Sequence, residues 1–379
     1  MNNQNSTGEN QPGSRPRFGA AQSRLLERLC TASAVSGDEG EVRDIILKEI
    51  QEDVRTRGGE VKIDALGNVL VTLPGSQTIQ GGRPRVMLAA HMDEVGFMVT
   101  REEEDGMFRF ETVGSLDVRQ IVGKPVWIGH KHIPGVIGAK PIHLTKRDEF
   151  KSVISLDTLR IDTGSGKTQV QVGDRAVFAT PFTRLGPSLR GKALDNRLGV
   201  SVLVELVKNA PANIDLLGAF TVQEEIGGRG ARVASYAFDP DMAFALDSTP
   251  AYDLPAWDDE AQIGVTENAV YNSRLGSGPA IYMADAGTLS DPRLIRHLAE
   301  SAEAAGIPYQ FRQPGGGGTD AGAIHKQRAG IPSVSISVPS RYQHTAASIA
   351  RVSDWQNTLA LLQVALRRIT HELLAVERS

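Results

Sequence analysis

Four short runs constrain this chain more than any other feature: RVMLAA at 85–90, the segment 214–222 with its stretch LLGAFTV, MAFAL at 242–246 and SVSISV at 333–338. Runs of this length and character suit strands buried in a protein interior. Each leads into groups that resist burial. The first runs into His91 and Asp93, the second into QEEIGGRG with its paired carboxylates Glu224 and Glu225, the third into Asp247, and the fourth into Arg341, Tyr342 and His344. Adjacent carboxylates at the edge of a core repel each other and are costly to desolvate. Open α/β sheets bind ligands outside the carboxyl ends of their strands, so these ends would gather their polar groups in one place.

Helical patterns surround the runs. Leu25, Leu26 and Leu29 share one face of a helix expected over Ala21 to Ala32. Ser36 with Glu39 three residues on reads as a capping box for a second helix carrying Val42, Ile45, Ile46 and Ile50. Further helices are expected over Leu198 to Lys208, Pro292 to Ala305 and Asp354 to Val376, and strands over Val61 to Asp64 and Val69 to Leu73. From about Gly96 to Thr180 the strands are short and glycines frequent, which suits a small all-β unit inserted between two α/β portions. The polar residues 1–20 read as a disordered tail without the apolar core of a signal peptide.

Composition narrows the function. The 379 residues carry a net charge of -4, with no basic footprint for nucleic acid and no polybasic patch for a membrane. No apolar run approaches the ~20 residues of a bilayer span. Cys30 is the only cysteine, so no intrachain disulfide can form and a cytoplasmic location is expected.

Two imidazoles and several carboxylates suit a pair of divalent cations. Ions roughly 3.5–4 Å apart need one carboxylate whose oxygens reach both. Asp195, ahead of the 198–208 helix, is the natural bridge, with His91 and His344 as imidazoles and Glu225 and Asp247 as the remaining carboxylates. Glu224 is left over as the expected general base. Asp93 would accept a hydrogen bond from the His91 ring nitrogen turned away from the metal. Each residue also has a plain explanation: Asp195 as a helix N-cap, Asp247 closing a strand with a turn, His344 on a surface loop. The joint reading rests on five suitable ligands all falling at element ends.

Other motifs fail on context. GSGKT at 164–168 has Ile161 where a phosphate loop needs its first glycine, and no helix pattern follows. GGGGTDAGA at 315–323 lacks dinucleotide spacing, and no G-x-S-x-G occurs. His130 and His132 have no carboxylate cluster in sequence nearby and are expected on a surface loop.

Taken in order, AAHMDEVGFMV, GVIGAKPIHL, GKALDNRLGV, TVQEEIGGRGA, ALDSTP, GGGTDAGAIH and RYQH resemble the tetrahedral and glutamyl aminopeptidase family of dinuclear metallopeptidases, some of whose members carry endoglucanase labels. The resemblance runs from about residue 22 to the end. It implies an α/β fold, a zinc-exopeptidase-like mixed sheet flanked by helices, formed by residues 21–95 and 181–379 and interrupted by a small β-barrel dimerisation domain at 96–180. It also implies two divalent metal ions, zinc first with cobalt or manganese as alternatives, and dimers that in this family often assemble further into tetrahedral dodecamers, so that dimer and dodecamer both stay open. Residue by residue, it makes His91, Asp195, Glu225, Asp247 and His344 the ligands, Glu224 the base and Asp93 the supporting acid. The loop holding Gly318, Thr319 and Asp320 would shape the substrate pocket. Two positions depart from the family pattern: Asn196 stands where Asp is common, and Ser348 where a glutamate is usual. The expected activity is metal-dependent removal of N-terminal residues from peptides. A dinuclear deacylase of N-acyl amino acids and a metal-bound scaffold with little turnover are the alternatives.

Overall fold

The computed structural model describes residues 16–147, 149–254, 272–375 and 377–378 of the chain. Its strands in chain order are β1 (Glu60–Ile63), β2 (Val69–Leu73), β3 (Arg85–His91), β4 (Gly96–Glu102), β5 (Met107–Val113), β6 (Pro125–Ile128), β7 (Ile133–Gly138), β8 (Arg160–Asp162), β9 (Arg175–Phe178), β10 (Thr183–Leu185), β11 (Ser188–Gly191), β12 (Asp215–Thr221), β13 (Met242–Pro250), β14 (Ala280–Tyr282), β15 (Gln310–Arg312), β16 (Ser333–Arg341) and β17 (Ser348–Arg351). Among the described residues eleven of these form one mixed sheet, with the path β1-β2-β12-β3-β13-β16-β17-β11-β10 and β14 and β15 branching from β16. The middle of the path, β12-β3-β13-β16, is parallel throughout. Those are the four runs singled out by sequence.

Their burial on both faces explains their apolar character. Val86, Leu88 and Ala90 of β3 pack into the main core, whereas Met87 and Ala89 point into the opposite layer. The main core is closed by α1 (Ala20–Thr31), α2 (Gly40–Thr56), α3 (Leu194–Lys208), α4 (Pro292–Ala305) and α5 (Val352–Arg367). Ala231, Ala234 and Phe238 of the 229–238 helix, with Ile324 of the short 321–324 helix, cover the other face.

Strands β4 to β9 close into a barrel, in the order β4-β5-β8-β7-β6-β9. Phe97 fills its centre, edge-on to both Phe110 and Phe178 at 5.3 Å. The histidines of the β6–β7 turn lie at the surface, as expected, with His130 exposed, and they meet a neighbouring helix. His132 Nε2 lies 2.8 Å from Glu41 Oε1 and His130 Nε2 lies 3.6 Å from Asp38 Oδ1, so the turn is tied to the start of α2.

Several local expectations change on folding. Helix α2 begins at Gly40 with Glu39 at its N-cap position, because Ser36 gives its hydroxyl to Asp93 rather than to a helix end. The closing helix stops at Arg367, and a separate turn of helix covers Glu372–Ala375. Residues 1–15 of the expected tail lie outside the described residues. Its later part is docked: Phe18 meets Trp355 edge-on at 5.1 Å, and Gln356 Nε2 donates to Pro16 O. No helix among the described residues is long and apolar enough to cross a membrane.

Candidate metal centre

The carboxyl ends of the parallel strands converge as the sequence predicts. His91 closes β3 opposite Thr221 of β12, and Asp247 lies in β13 opposite Ser337 of β16. Asp195 sits in the first turn of α3, and His344 in the turn after β16. The chain bends sharply to deliver them. Ala193, Gln223 and His344 take φ values of 52°, 57° and 54°, a region disfavoured for residues with a Cβ. Such strain persists where the surrounding structure imposes it, commonly at functional sites.

Asp195 divides its oxygens between the two imidazoles. Its Oδ1 lies 3.3 Å from His91 Nε2, and its Oδ2 lies 3.6 Å from His344 Nε2. Asp247 Oδ1 completes the first group, 3.4 Å from His91 Nε2, and Glu225 Oε2 the second, 3.3 Å from His344 Nε2. Within His91, Asp195 and Asp247, and again within Asp195, Glu225 and His344, one donor atom per residue lies within 4.8 Å of the others. Both rings are oriented from behind. His344 Nδ1 lies 2.9 Å from Ser115 O, and His91 Nδ1 lies 3.2 Å from Asp93 O and 3.5 Å from its Oδ1. Donation of the Nδ1 proton to those carbonyls leaves each Nε2 as a lone-pair donor.

Asp93 does more than back a histidine. Its carboxylate accepts the backbone N–H groups of Glu224 at 3.0 Å and Glu225 at 3.1 Å, and the Ser36 hydroxyl at 2.6 Å. It therefore fixes the turn from which the two glutamates diverge. Glu225 reaches His344, while the Glu224 side chain makes no hydrogen bond or ion pair with the described residues and lines the open cavity.

The electrostatics are lopsided. Burial pushes the Glu225 carboxyl up to about 8, with Asp195 adding to the rise, and pushes Asp247 up to about 6. Burial also raises Glu224 well above the usual carboxylate range. Burial opposes charge on the imidazoles, yet Asp195, Asp247 and Asp93 hold His91 well above its ordinary value, and Asp195 and Glu225 hold His344 up at about 9. Against burial, His344 and His91 keep Asp195 low. No lysine or arginine among the described residues pairs with Asp195, Glu224, Glu225 or Asp247. Hard and borderline divalent cations match this donor set of imidazole nitrogen and carboxylate oxygen.

A cavity of about 630 Å³ opens in front of these groups, and Gly318 and Thr319 line it. Asp320 does not. It is buried, its Oδ2 accepts from Thr221 Oγ1 at 2.5 Å, and burial raises it to about 7. Asn196 donates Nδ2–H to Leu246 O at 2.8 Å and accepts from Gly199 N, a double role that an ionised aspartate, lacking the donor, would not fill. Ser348 is buried, and its hydroxyl donates to Tyr342 O at 3.1 Å. Sequence reasoning missed Ser115, Arg312 and Lys326, which also line the cavity. Ser115 comes from the barrel unit and meets His344 only through the tertiary fold, so no local signal marks it.

Together these groups form a candidate cation-binding centre at the carboxyl ends of the parallel strands. The family model described as M42 glutamyl aminopeptidase matches residues 67–361. The chain is 35% identical to a "Putative aminopeptidase" of Acetivibrio thermocellus, covering 90% of this chain and 97% of that protein. It is 31% identical to the glutamyl aminopeptidase of Lactococcus lactis (92% and 97%) and 32% identical to the lysyl aminopeptidase of Pyrococcus furiosus (91% and 96%). Among solved structures it resembles a TET aminopeptidase of a marine sediment archaeon, with a TM-score of 0.85, 31% identity, and 94% and 99% of the chains covered. It also resembles the Pyrococcus horikoshii TET1 peptidase, described as assembling into a tetrahedron or a large octahedral shell (TM-score 0.78, 30% identity, 92% and 100%). The chain belongs to the M42 glutamyl aminopeptidase family. Family and relatives support an aminopeptidase, a hydrolase of peptide bonds.

Proposed function

We propose that this chain is a dinuclear metalloaminopeptidase that removes the N-terminal residue of peptides. The observation carrying this reading is Asp195, whose two oxygens face different imidazoles and so give two donor groups with one shared carboxylate. His91, Asp195 and Asp247 would hold one divalent cation, and Asp195, Glu225 and His344 the other. Zinc suits the donors best, with cobalt or manganese as alternatives. When bound, such a pair supplies Lewis acidity to the scissile carbonyl and lowers the pKa of water.

The chain's own residues do the rest. Glu224, with no side-chain partner among the described residues and lining the cavity, takes the proton of the attacking water and returns it to the leaving amine. Asp93 is a positioning residue that holds the glutamate turn and backs His91. Gly318 and Thr319 shape the substrate wall, and Asp320 supports that loop from beneath. The barrel is the surface for dimerisation, and assembly into a tetrahedral dodecamer follows the resemblance to TET peptidases. Work on cytoplasmic peptides fits a chain with one buried cysteine.

The test is turnover of free and N-acetylated amino-acid anilides by metal-stripped protein, with zinc, cobalt or manganese restored. Metal-dependent cleavage of the free-amine series alone is expected. Cleavage of the acetylated series alone would make the chain a deacylase, and no cleavage with two metals bound would make it a scaffold.

A further inference from the structure

Three consecutive backbone amides carry the turn from which the two glutamates diverge, and Asp93 holds only those of Glu224 and Glu225. The amide before them, Gln223 N, donates to Glu39 Oε1 at 3.2 Å. Glu39 stands at the start of α2 and is 4% exposed. Its carboxylate makes no ion pair with the described residues and no cap bond to its own helix. A buried carboxylate without a cation needs hydrogen bonds to be tolerated. Glu39 Oε1 has them from Gln223 and from Gly37, the latter at 2.7 Å. One oxygen thus joins the loop before α2 to the end of β12.

The residue it reaches is a strained one. Gln223 takes a φ of 57°, which is costly for a residue with a Cβ and persists only where the surroundings impose it. Its own side chain helps little, since its contact with Arg229 is exposed and 3.4 Å long. The anchor, by contrast, is itself fixed. Glu41 accepts Ser33 N at 3.0 Å and meets His132 of the barrel turn, and Ser36 gives its hydroxyl to Asp93. A group held from several sides can hold its partner in place.

We propose that Glu39 is a positioning residue for Glu224: by holding the Gln223 amide it fixes the left-handed turn that aims Glu224 into the cavity. The proposal rests on the reading of Glu224 as general base. What the turn needs is an accepting oxygen at the right reach, not a negative charge, and two substitutions separate these. Glu39→Gln keeps the reach and drops the charge. Glu39→Asp keeps the charge, draws the oxygen back by one methylene, and leaves a residue well suited to a helix N-cap.

Amide hydrogen exchange on the metal-free full chain reads the turn directly. In Glu39→Asp the amides of Gln223, Glu224 and Glu225 are expected to exchange about tenfold faster than in the wild type, the effect of one lost hydrogen bond, while those of β12 keep their rates. Glu39→Gln should exchange as the wild type does. In the zinc-loaded chain, with the free-amine anilide that the wild type cleaves fastest, kcat should fall about 10–100-fold in Glu39→Asp with KM within about twofold, because the base is displaced and the substrate's contacts are not. Glu39→Gln should recover most of that kcat. Unchanged exchange at Glu224 in Glu39→Asp, wild-type kcat in that variant, or an equal loss in both variants overturns the proposal. If Glu39→Asp does not fold, Glu39→Gln decides alone: wild-type exchange across the turn supports the proposal and faster exchange overturns it. If the wild type cleaves no anilide, the aminopeptidase reading fails by itself, and exchange at Glu224 still decides whether Glu39 sets the turn.

Discussion

Two buried charge clusters meet at consecutive residues, Asp93 and Glu94, and they are built on opposite plans. Glu94 turns toward the interior, where Lys192 Nζ approaches its oxygens at 2.7 and 2.9 Å and an Arg197 terminal nitrogen at 2.9 Å. Further donors are matched by backbone carbonyls: Lys192 reaches Ala32 O, and Arg197 reaches Leu29 O and Met92 O. Asp93 turns the other way, toward four more carboxylates with no lysine or arginine among them. What offsets that acidic group among the described residues is the pair of imidazoles, His91 and His344. The first cluster is complete as it stands. The second, on the function proposed above, takes cations from outside.

The largest effect expected from this contrast is on stability. Lys192→Met should cost about 3 kcal/mol, because it removes two charge-assisted hydrogen bonds to Glu94 and leaves the buried Ala32 O without its donor, although Arg197 still balances the glutamate's charge. Urea unfolding would report the loss, while zinc content should be unchanged. A loss of zinc in that variant would show that the clusters are one unit rather than two.

A smaller effect separates the clusters by pH. In the metal-free chain the carboxyls of Glu225 and Asp247 are raised by burial to about 8 and about 6, and His344 is held at about 9 by its acidic neighbours against its own burial. Groups raised on folding stabilise the folded chain below their unfolded values, about 4 for the carboxyls and 6.5 for the imidazole. That contribution is lost as pH rises through 6, 8 and 9. Zinc displaces the same protons, so its stabilisation should grow from pH 6 to pH 8, by about 2.7 kcal/mol for each proton released over that span. Thermal melts with and without zinc at the two pH values would show it. A zinc shift independent of pH would mean the metal is held elsewhere.

Much of the metal centre was legible because its residues interrupt strong local patterns. His91 and Asp247 end or interrupt apolar runs, and Glu224 and Glu225 stand between a buried strand and glycines, so a chemical mismatch is visible without any fold. Asp195 was legible only through its ligand type, since a carboxylate ahead of a helix is ordinary. The balanced cluster escaped notice for the opposite reason. Lys192 and Arg197 look like solvated residues until β11 and α3 are packed against β3. Arg312 lay in a stretch to which the sequence assigned no element, because β15 is three residues long and pairs with β14. Short edge strands carry too few residues for a period-2 signal. The same shortness hid β10, which forms a tight hairpin with β11, and the pairing of β11 with β17, which lies far along the chain.

The proposed mechanism turns on Glu224 being the one cavity-lining carboxylate of its cluster that is spared from metal binding. Zinc content and turnover should therefore be measured on the same preparation of Glu224→Gln. The account predicts two zinc ions per chain, as in the wild type, with kcat lower by about 10²–10⁴. Wild-type turnover, or loss of a zinc ion, would contradict it.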